Sequence, residues 1–291
     1  RLVEGSAISG HLRPDLAQRW AMGRDVVVAG GAGDNAASAV GIGAVRAGSG
    51  FVSLGTSGVL FVTTDRFRPN PASAVHAFCH AVPQRWHQMS VMLAAASGLQ
   101  WLAGVTGDLS VAALVEQIDQ LGAARRMRAP LFLPYLSGER TPHNDPLAQG
   151  ALVGLSLDHG RVELAYAVME GVSFGLRDGL LALQQAGTEV EQLSLVGGGA
   201  RSTAWARQLA SVLGVQIVTH AGGEAGAALG AARLAWLACG GDEAAVCRAP
   251  VITASFEPQA EERAYLLERH TRFAALYPAL RPSFHHTPAQ A

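Results

Sequence analysis

The stretch EQLSLVGGGARSTAWARQLASVLGVQIVTH, residues 191–220, decides the class of this chain. It reads as a strand, a glycine turn, a helix and a second strand, one βαβ-like unit. Its glycines, Gly197 to Gly199, stand where the first strand ends, and open α/β sheets bind ligands at that end. A close helix–sheet crossing accounts for the same glycines without a ligand. Downstream, GGEAGAALGAARLAWLAC (222–239) reads as a small-residue helix lining the same edge, and residues 261–280 as a terminal amphipathic helix. Upstream, Glu163 to about Ala186 reads as a long helix. Leu164, Val168, Val172, Leu176 and Leu180 recur on one of its faces. Before it come a strand, ALVGLSL (151–157), and a segment, 129–150, that opens apolar and becomes a polar loop with Pro142 and Pro146. WHQMSVML (86–93) reads as a strand, and SGLQWLAGV (97–105) starts a helix. FVSLGTSGVLFVTT (51–64) reads as a β-hairpin, and DVVVA (25–29) as a short strand before a glycine turn and a helix from about Asn35. Strands and helices interleave, so the class is α/β.

Composition narrows the function. Of 291 residues, 49% are hydrophobic and 15% charged, enough for a large core and too apolar for disorder. The length suits two compact domains or one large one. The net charge is −1, so no broad basic surface is expected for nucleic acid or anionic membrane. No apolar run is long enough to span a bilayer, which takes about 18 residues or more, and no signal peptide is recognisable. The three cysteines, Cys79, Cys239 and Cys247, form no CxxC pair and fit a reducing cytoplasm. The sequence starts at Arg1 in mid-pattern, and a preceding amino-terminal part is expected. The Pro/His/Ala tail after Ser283 is expected to fray.

Three glycine turns at strand ends invite chemistry. In VVVAGGAGDNAASAV (26–40), Gly31, Gly33 and Ala36 satisfy G-x-G-x-x-G/A, the dinucleotide fingerprint. That fingerprint needs an acid about 20 residues on for the ribose, and FVSLGTSG has none. On local sequence Asp34 is a helix N-cap. The same carboxylate, with glycines clearing the approach, is also able to take a proton from a bound hydroxyl. In SLGTSG, Gly55 and Gly58 bracket Thr56 and Ser57; a simple tight turn explains them, as does an anion seat of amides and hydroxyls. No G-x-x-x-x-G-K-[ST] loop occurs. HAFCH (76–80) lacks the spacing of a haem or zinc site and reads as a strand with partly buried side chains. Trp86, Met89, Met92 and Trp101 read as core, and Arg125, Arg126 and Arg128 as a solvated charge cluster. Together the three turns favour a phosphoryl-transfer site, without naming the acceptor.

These residues in this order resemble the carboxyl-terminal half of the FGGY family of carbohydrate kinases. GGAGDNAASAVGIGAV resembles its catalytic-acid segment, SLGTSGV its second phosphate hairpin, and VGGGARS its adenosine turn. GALVGLSLDHGRVELAYAVME (150–170), with Gly150, Gly154, Glu163, Leu164, Ala167 and Glu170, resembles its carboxyl-terminal signature. LPYLSGERTPHNDP and AVHAFCHAVPQRWHQMSVML are similar to its D-xylulose-phosphorylating branch. The resemblance runs from about residue 2 to 280.

That resemblance implies an actin-like, ribonuclease-H-like ATPase fold, mainly the carboxyl-terminal lobe of a two-lobed sugar kinase. It divides the chain into 1–45, the end of the amino-terminal sugar-binding lobe with the acid segment; 46–280, the ATP-binding lobe; and a tail, 281–291. It implies ATP and Mg²⁺, a pentulose substrate and phosphorylation of D-xylulose to D-xylulose 5-phosphate; the cysteines already point to a cytoplasmic location, and apolar edges exposed without the other lobe would favour a homodimer. By position, Asp34 would be the base and touch the sugar. Gly55, Thr56 and Ser57 would face the phosphates, and Gly198, Gly199 and Ala200 the adenosine, with Thr203 near base or ribose. Gln100 matches a nucleotide-contacting glutamine, although Ala96 stands where the glycerol-kinase branch has glycine. The family's first phosphate hairpin, D-x-G-T/S, is absent; DHG at 158–160 lacks the hydroxyl. The base and much of the ATP site are therefore expected here, most of the sugar site is not, and little activity is expected of this chain alone. Two other readings are a non-enzymatic ATP-binding regulator on the same fold and an NAD-dependent oxidoreductase.

Overall fold

A computed structural model describes residues 1–107, 110–222 and 226–285. In chain order the elements begin with β1 (Ile8–His11), α1 (Pro14–Arg19), β2 (Val27–Ala29), α2 (Asp34–Gly41), β3 (Ser49–Leu54) and β4 (Gly58–Thr64). Next come β5 (His76–Cys79), β6 (Trp86–Met92), α3 (Ser97–Thr106), α4 (Val111–Asp119), α5 (Ala123–Arg128), β7 (Leu131–Leu133) and β8 (Ala151–Val153). The rest are α6 (Arg161–Gln185), β9 (Gln192–Val196), α7 (Thr203–Leu213), β10 (Gln216–His220), α8 (Gly226–Ala238) and α9 (Glu243–Val246). The last are β11 (Ile252–Phe256), α10 (Ala260–Ala274) and α11 (Leu276–Phe284).

The β-branched and aromatic residues around Gly55–Ser57 suit a buried pleated surface, and they pair as the hairpin β3–β4 at the centre of the sheet. Seven strands lie in the order β11-β10-β9-β3-β4-β6-β5. β3, β4 and β6 run antiparallel in succession, and β9 and β10 add in parallel on the other side of β3. Three meandering strands followed by two crossover strands beside the first is the ribonuclease-H-like arrangement; β5 and β11 extend its two edges. The sequence-expected βαβ unit is β9–α7–β10. β1 and β2 form a separate antiparallel pair. The G-x-G-x-x-A stretch therefore follows a strand outside any parallel βαβ unit, which removes the dinucleotide reading.

α6 packs against β6, β7, α3, α4 and α7. The expected apolar stripe is there, but burial runs all round the helix from Ala165 to Leu176. Such a helix lies inside a core rather than on its surface. It carries two buried acids from the family-like signature. Glu163 accepts the Gly160 amide at 3.0 Å, as the third helical residue of a capping box does, and pairs with Arg125. Glu170 takes both Nε (2.8 Å) and an Nη (2.6 Å) of Arg269, and the Tyr166 hydroxyl at 3.2 Å.

Several expectations change. The strand foreseen over 151–157 stops at Val153, and Leu155 and Leu157 are exposed beyond it. The terminal helix breaks at Ala275 into α10 and α11. The arginine cluster is not simply solvated: Arg125 pairs with buried Glu163, and Arg126 donates to the Ile118 and Asp119 carbonyls. Met92 is core, whereas Trp86 and Met89 are half-buried and Trp101, stacked on Phe132, is exposed. His80 and His87 lie buried against Phe61, and burial pushes both imidazoles down to about 4. The tail expected to fray after Ser283 falls mostly on 286–291, outside the described residues, while Phe284 still belongs to α11. Among the described residues no single helix is long and apolar enough to cross a membrane.

Candidate active site

The turn of the central hairpin is held from below. The Thr56 carbonyl accepts the Ala95 amide (2.9 Å) and the Ser97 hydroxyl (2.7 Å), and the Gly55 carbonyl accepts the Ala96 amide (2.9 Å). With its carbonyls engaged by the start of α3, the turn shows exposed Thr56 and Ser57 to solvent. Among the described residues their hydroxyls have no partner. The Gly55 amide closes the turn on the Ser57 carbonyl at 3.1 Å, so the two hydroxyls are the donors left to an anion.

Across from the turn stands the glycine run after β9. Gly197 has φ +87°, and a Cβ there would lie 2.9 Å from the Leu54 carbonyl oxygen. A Cβ on Gly199 would collide with the Leu54 side chain, while one on Gly198 would meet nothing within 4 Å. Two of the three glycines thus let the turn close onto the end of β3, and the third leaves clearance. α7 starts just beyond. Ser202 is its N-cap, accepting the Trp205 amide at 3.1 Å, so the positive end of an eleven-residue helix points at this space.

Between the two turns lies a cavity of about 720 Å³. Of the eight residues expected at a nucleotide, six line it: Gly55, Thr56, Gln100, Gly198, Gly199 and Thr203. Ser57 sits beside it at the hairpin tip. Ala200 instead faces an adjoining cavity of about 320 Å³ with Thr219, His220 and Thr253. One whole wall lies outside the sequence expectations: the Val111, Val115 and Glu116 side of α4, together with Arg201 and Trp205. The apolar spacing of 111–118 was the available signal. The wall is apolar with polar edges, as a purine site is.

Asp34 is not among the residues lining that cavity. Nor is it the N-cap: Gly33 takes that place, and Asp34 is the first residue of α2. Its Oδ1 accepts the Asn35 amide (2.7 Å) and side-chain Nδ2 (3.2 Å), and the residue is exposed. α2 itself is firmly seated on α8. A Cβ on Gly41 would overlap the Gly226 carbonyl, and one on Gly230 the Ala37 carbonyl. One Arg233 Nη caps α2 by donating to the Val40 (2.9 Å) and Gly41 (2.8 Å) carbonyls. Among the described residues no three His, Cys, Asp or Glu side chains gather to hold a metal, and in HAFCH His80 is buried while Cys79 faces outward.

Topology and cleft together define the carboxyl-terminal lobe of an actin-like ATPase fold. Residues 50–239 match the carboxyl-terminal domain of the FGGY family of carbohydrate kinases. The chain belongs to that family. It is 48% identical over 283 residues to the xylulose kinase of Escherichia coli K12, and 45% identical over 284 residues to that of Klebsiella pneumoniae. Each alignment covers 97% of this chain and 58% of the relative. The crystal structure of a xylulose kinase from Brucella ovis superposes with a TM-score of 0.92 at 48% identity, again over 97% of this chain and 58% of that one. The chain therefore spans little more than half the length of the relatives it matches.

Proposed function

We propose that this chain is the nucleotide-binding portion of a kinase that phosphorylates D-xylulose to D-xylulose 5-phosphate with ATP. The observation that carries the reading is the cavity that gathers Gly55, Thr56, Gln100, Gly198, Gly199 and Thr203 between a donor-rich hairpin and a helix N-terminus. The adenosine lies against Gly198, Gly199 and the α4 wall, with Thr203 and Gln100 at its polar edges and Ala200 turned to the adjoining cavity. The phosphates reach the Gly55–Ser57 turn, where the Thr56 and Ser57 hydroxyls hold the leaving ADP. Mg²⁺ fits as an ion carried on the phosphates, because it keeps water and phosphate oxygens as most of its ligands and needs no protein cage. Carried in on the nucleotide, it would supply neutralisation of phosphate charge beside Thr56 and Ser57. Asp34 takes the proton of the sugar's terminal hydroxyl, and closure of a second lobe delivers that sugar. The pentulose is chosen on the likeness to the named xylulose kinases, and the cytoplasm on the sparse free cysteines.

Asp34→Asn in the longest natural form of the protein tests the role of the base. Turnover of D-xylulose in a coupled ADP-release assay should fall by roughly 10²–10⁴-fold, with MgATP affinity unchanged. Near-normal turnover removes Asp34 from the mechanism. A second reading, a non-catalytic nucleotide-binding regulator, draws support from the placement of Asp34 outside the cavity. The same assay separates the two, since a regulator phosphorylates no ketopentose before or after the substitution.

A further inference from the structure

The segment LPYLSGERTPHNDP (133–146) carries a buried acid that the proposed mechanism does not use. Glu139 is 2% exposed. Its Oε1 accepts two backbone amides, from Arg140 at 2.7 Å and from Leu93 at 3.2 Å. Leu93 directly follows β6, whose last residue, Met92, pairs with Gly58, the first residue after the hairpin turn. Two to four residues further on come Ala95, Ala96 and Ser97, which grip the turn through the Gly55 and Thr56 carbonyls. One carboxyl oxygen thus joins the 134–149 loop to the segment that holds the phosphate hairpin.

The loop end of this connection is itself fixed. Glu139 and Asp145 exchange backbone hydrogen bonds at 2.9 and 2.8 Å, and Thr141 and Val91 bond twice, at 3.0 and 3.1 Å. Asp145 Oδ2 accepts the Tyr277 hydroxyl and pairs with His285 Nε2, both at 2.7 Å, which ties the loop to α11 and the residue after it. The apolar wall of α4 and the glycine turn after β9 show no such link to Glu139.

We infer that Glu139 is a positioning residue: it sets segment 93–97, and through it the Gly55–Ser57 turn, in the conformation that receives phosphate, leaving the base and ribose wall independent of it. The inference rests on the nucleotide reading of the cavity. Burial pushes the Glu139 carboxyl up to about 8, against the pull of the two backbone amides and with the push of nearby Asp178. The acid is therefore mostly neutral at pH 7 and puts little negative charge behind a seat for a polyphosphate, while its carbonyl oxygen still accepts both amides. Glutamine offers the same acceptor. Aspartate is one methylene shorter and withdraws it from Leu93.

Calorimetric titration of this chain with ADP and, separately, with adenosine tests the inference. Glu139→Ala and Glu139→Asp should each lose ADP affinity by about tenfold, the loss of roughly one hydrogen bond, and keep adenosine affinity. Glu139→Gln should match the wild type for both ligands. Equal loss of ADP and adenosine, no loss of either, or a Glu139→Gln chain that behaves like Glu139→Ala overturns the positioning role. If Glu139→Ala does not fold, the Asp and Gln variants carry the comparison. A wild-type chain that binds neither ligand overturns the nucleotide reading itself.

Discussion

Glu170 has 1% of its surface exposed, and both of its oxygens are taken by Arg269. Arg269 in turn donates to the Ala129 carbonyl at 3.0 Å, so α10 is fastened to α6 and to the strand entering β7. Two charges removed from water with their hydrogen bonds satisfied cost little; one left alone costs much. Arg269→Ala should lower the unfolding free energy by about 3–5 kcal/mol in urea melts, and replacing both residues by apolar ones should recover most of it. A loss under about 1 kcal/mol would mean the pair is solvated in solution. At this scale the sequence shows turns more plainly than partners. The hairpin and glycine turns were legible because glycine and hydroxyl residues at strand ends have few other uses. The duties of Glu163 and Glu170 were not, because their partners, Arg125 and Arg269, lie 38 and 99 residues away in the chain. Asp34 was read as a cap from its neighbours alone, and the turn places Gly33 there instead.

Elements were more legible than their pairing. Strand and helix periods gave β3, β4, β6, α6 and the β9–α7–β10 unit within a few residues. α4 and α5 were passed over, since short helices between loops leave a weak periodic signal. That omission hid a wall of the cavity. Sheet order is set by long-range pairing, such as β3 beside β9, which no local pattern carries. The contact of α2 with α8 is the element-scale feature most open to test. At Gly230 an added methyl has no room against the Ala37 carbonyl. Gly230→Ala should destabilise the chain by about 1–3 kcal/mol through overpacking and shift α2. In the longest natural form, phosphoryl transfer should then drop while nucleotide affinity holds. Unchanged melting and turnover would show that the two helices do not sit so closely.

At the scale of the whole molecule, buried ionisable groups shape the pH profile of stability. His80 and His87 fall from 6.5 to about 4 on folding, so the unfolded chain binds more protons between those values. Their contribution is complete above pH 6.5 and is lost as pH drops toward 4. Glu139 rises from 4.5 to about 8, so its contribution is complete below 4.5 and is lost as pH climbs toward 8. Burial also lowers His76 and His143 and raises Glu170, so the histidines outnumber the raised acids on the low side and the acids set the high side. Melting temperature should therefore peak at about pH 6.5–7 and fall in both directions. His87→Phe, which keeps the stack on Phe61, should flatten the acid limb, and Glu139→Gln the alkaline one. A wild-type profile flat from pH 4.5 to 8 would contradict both assignments. The seating of α2 on α8, with Arg233 closing its last turn, has a further consequence for timing. In the proposed reaction the proton acceptor takes up its place when the chain folds, before either substrate arrives. No binding energy is then spent on ordering the base, and the reorganisation that remains is the arrival of the hydroxyl.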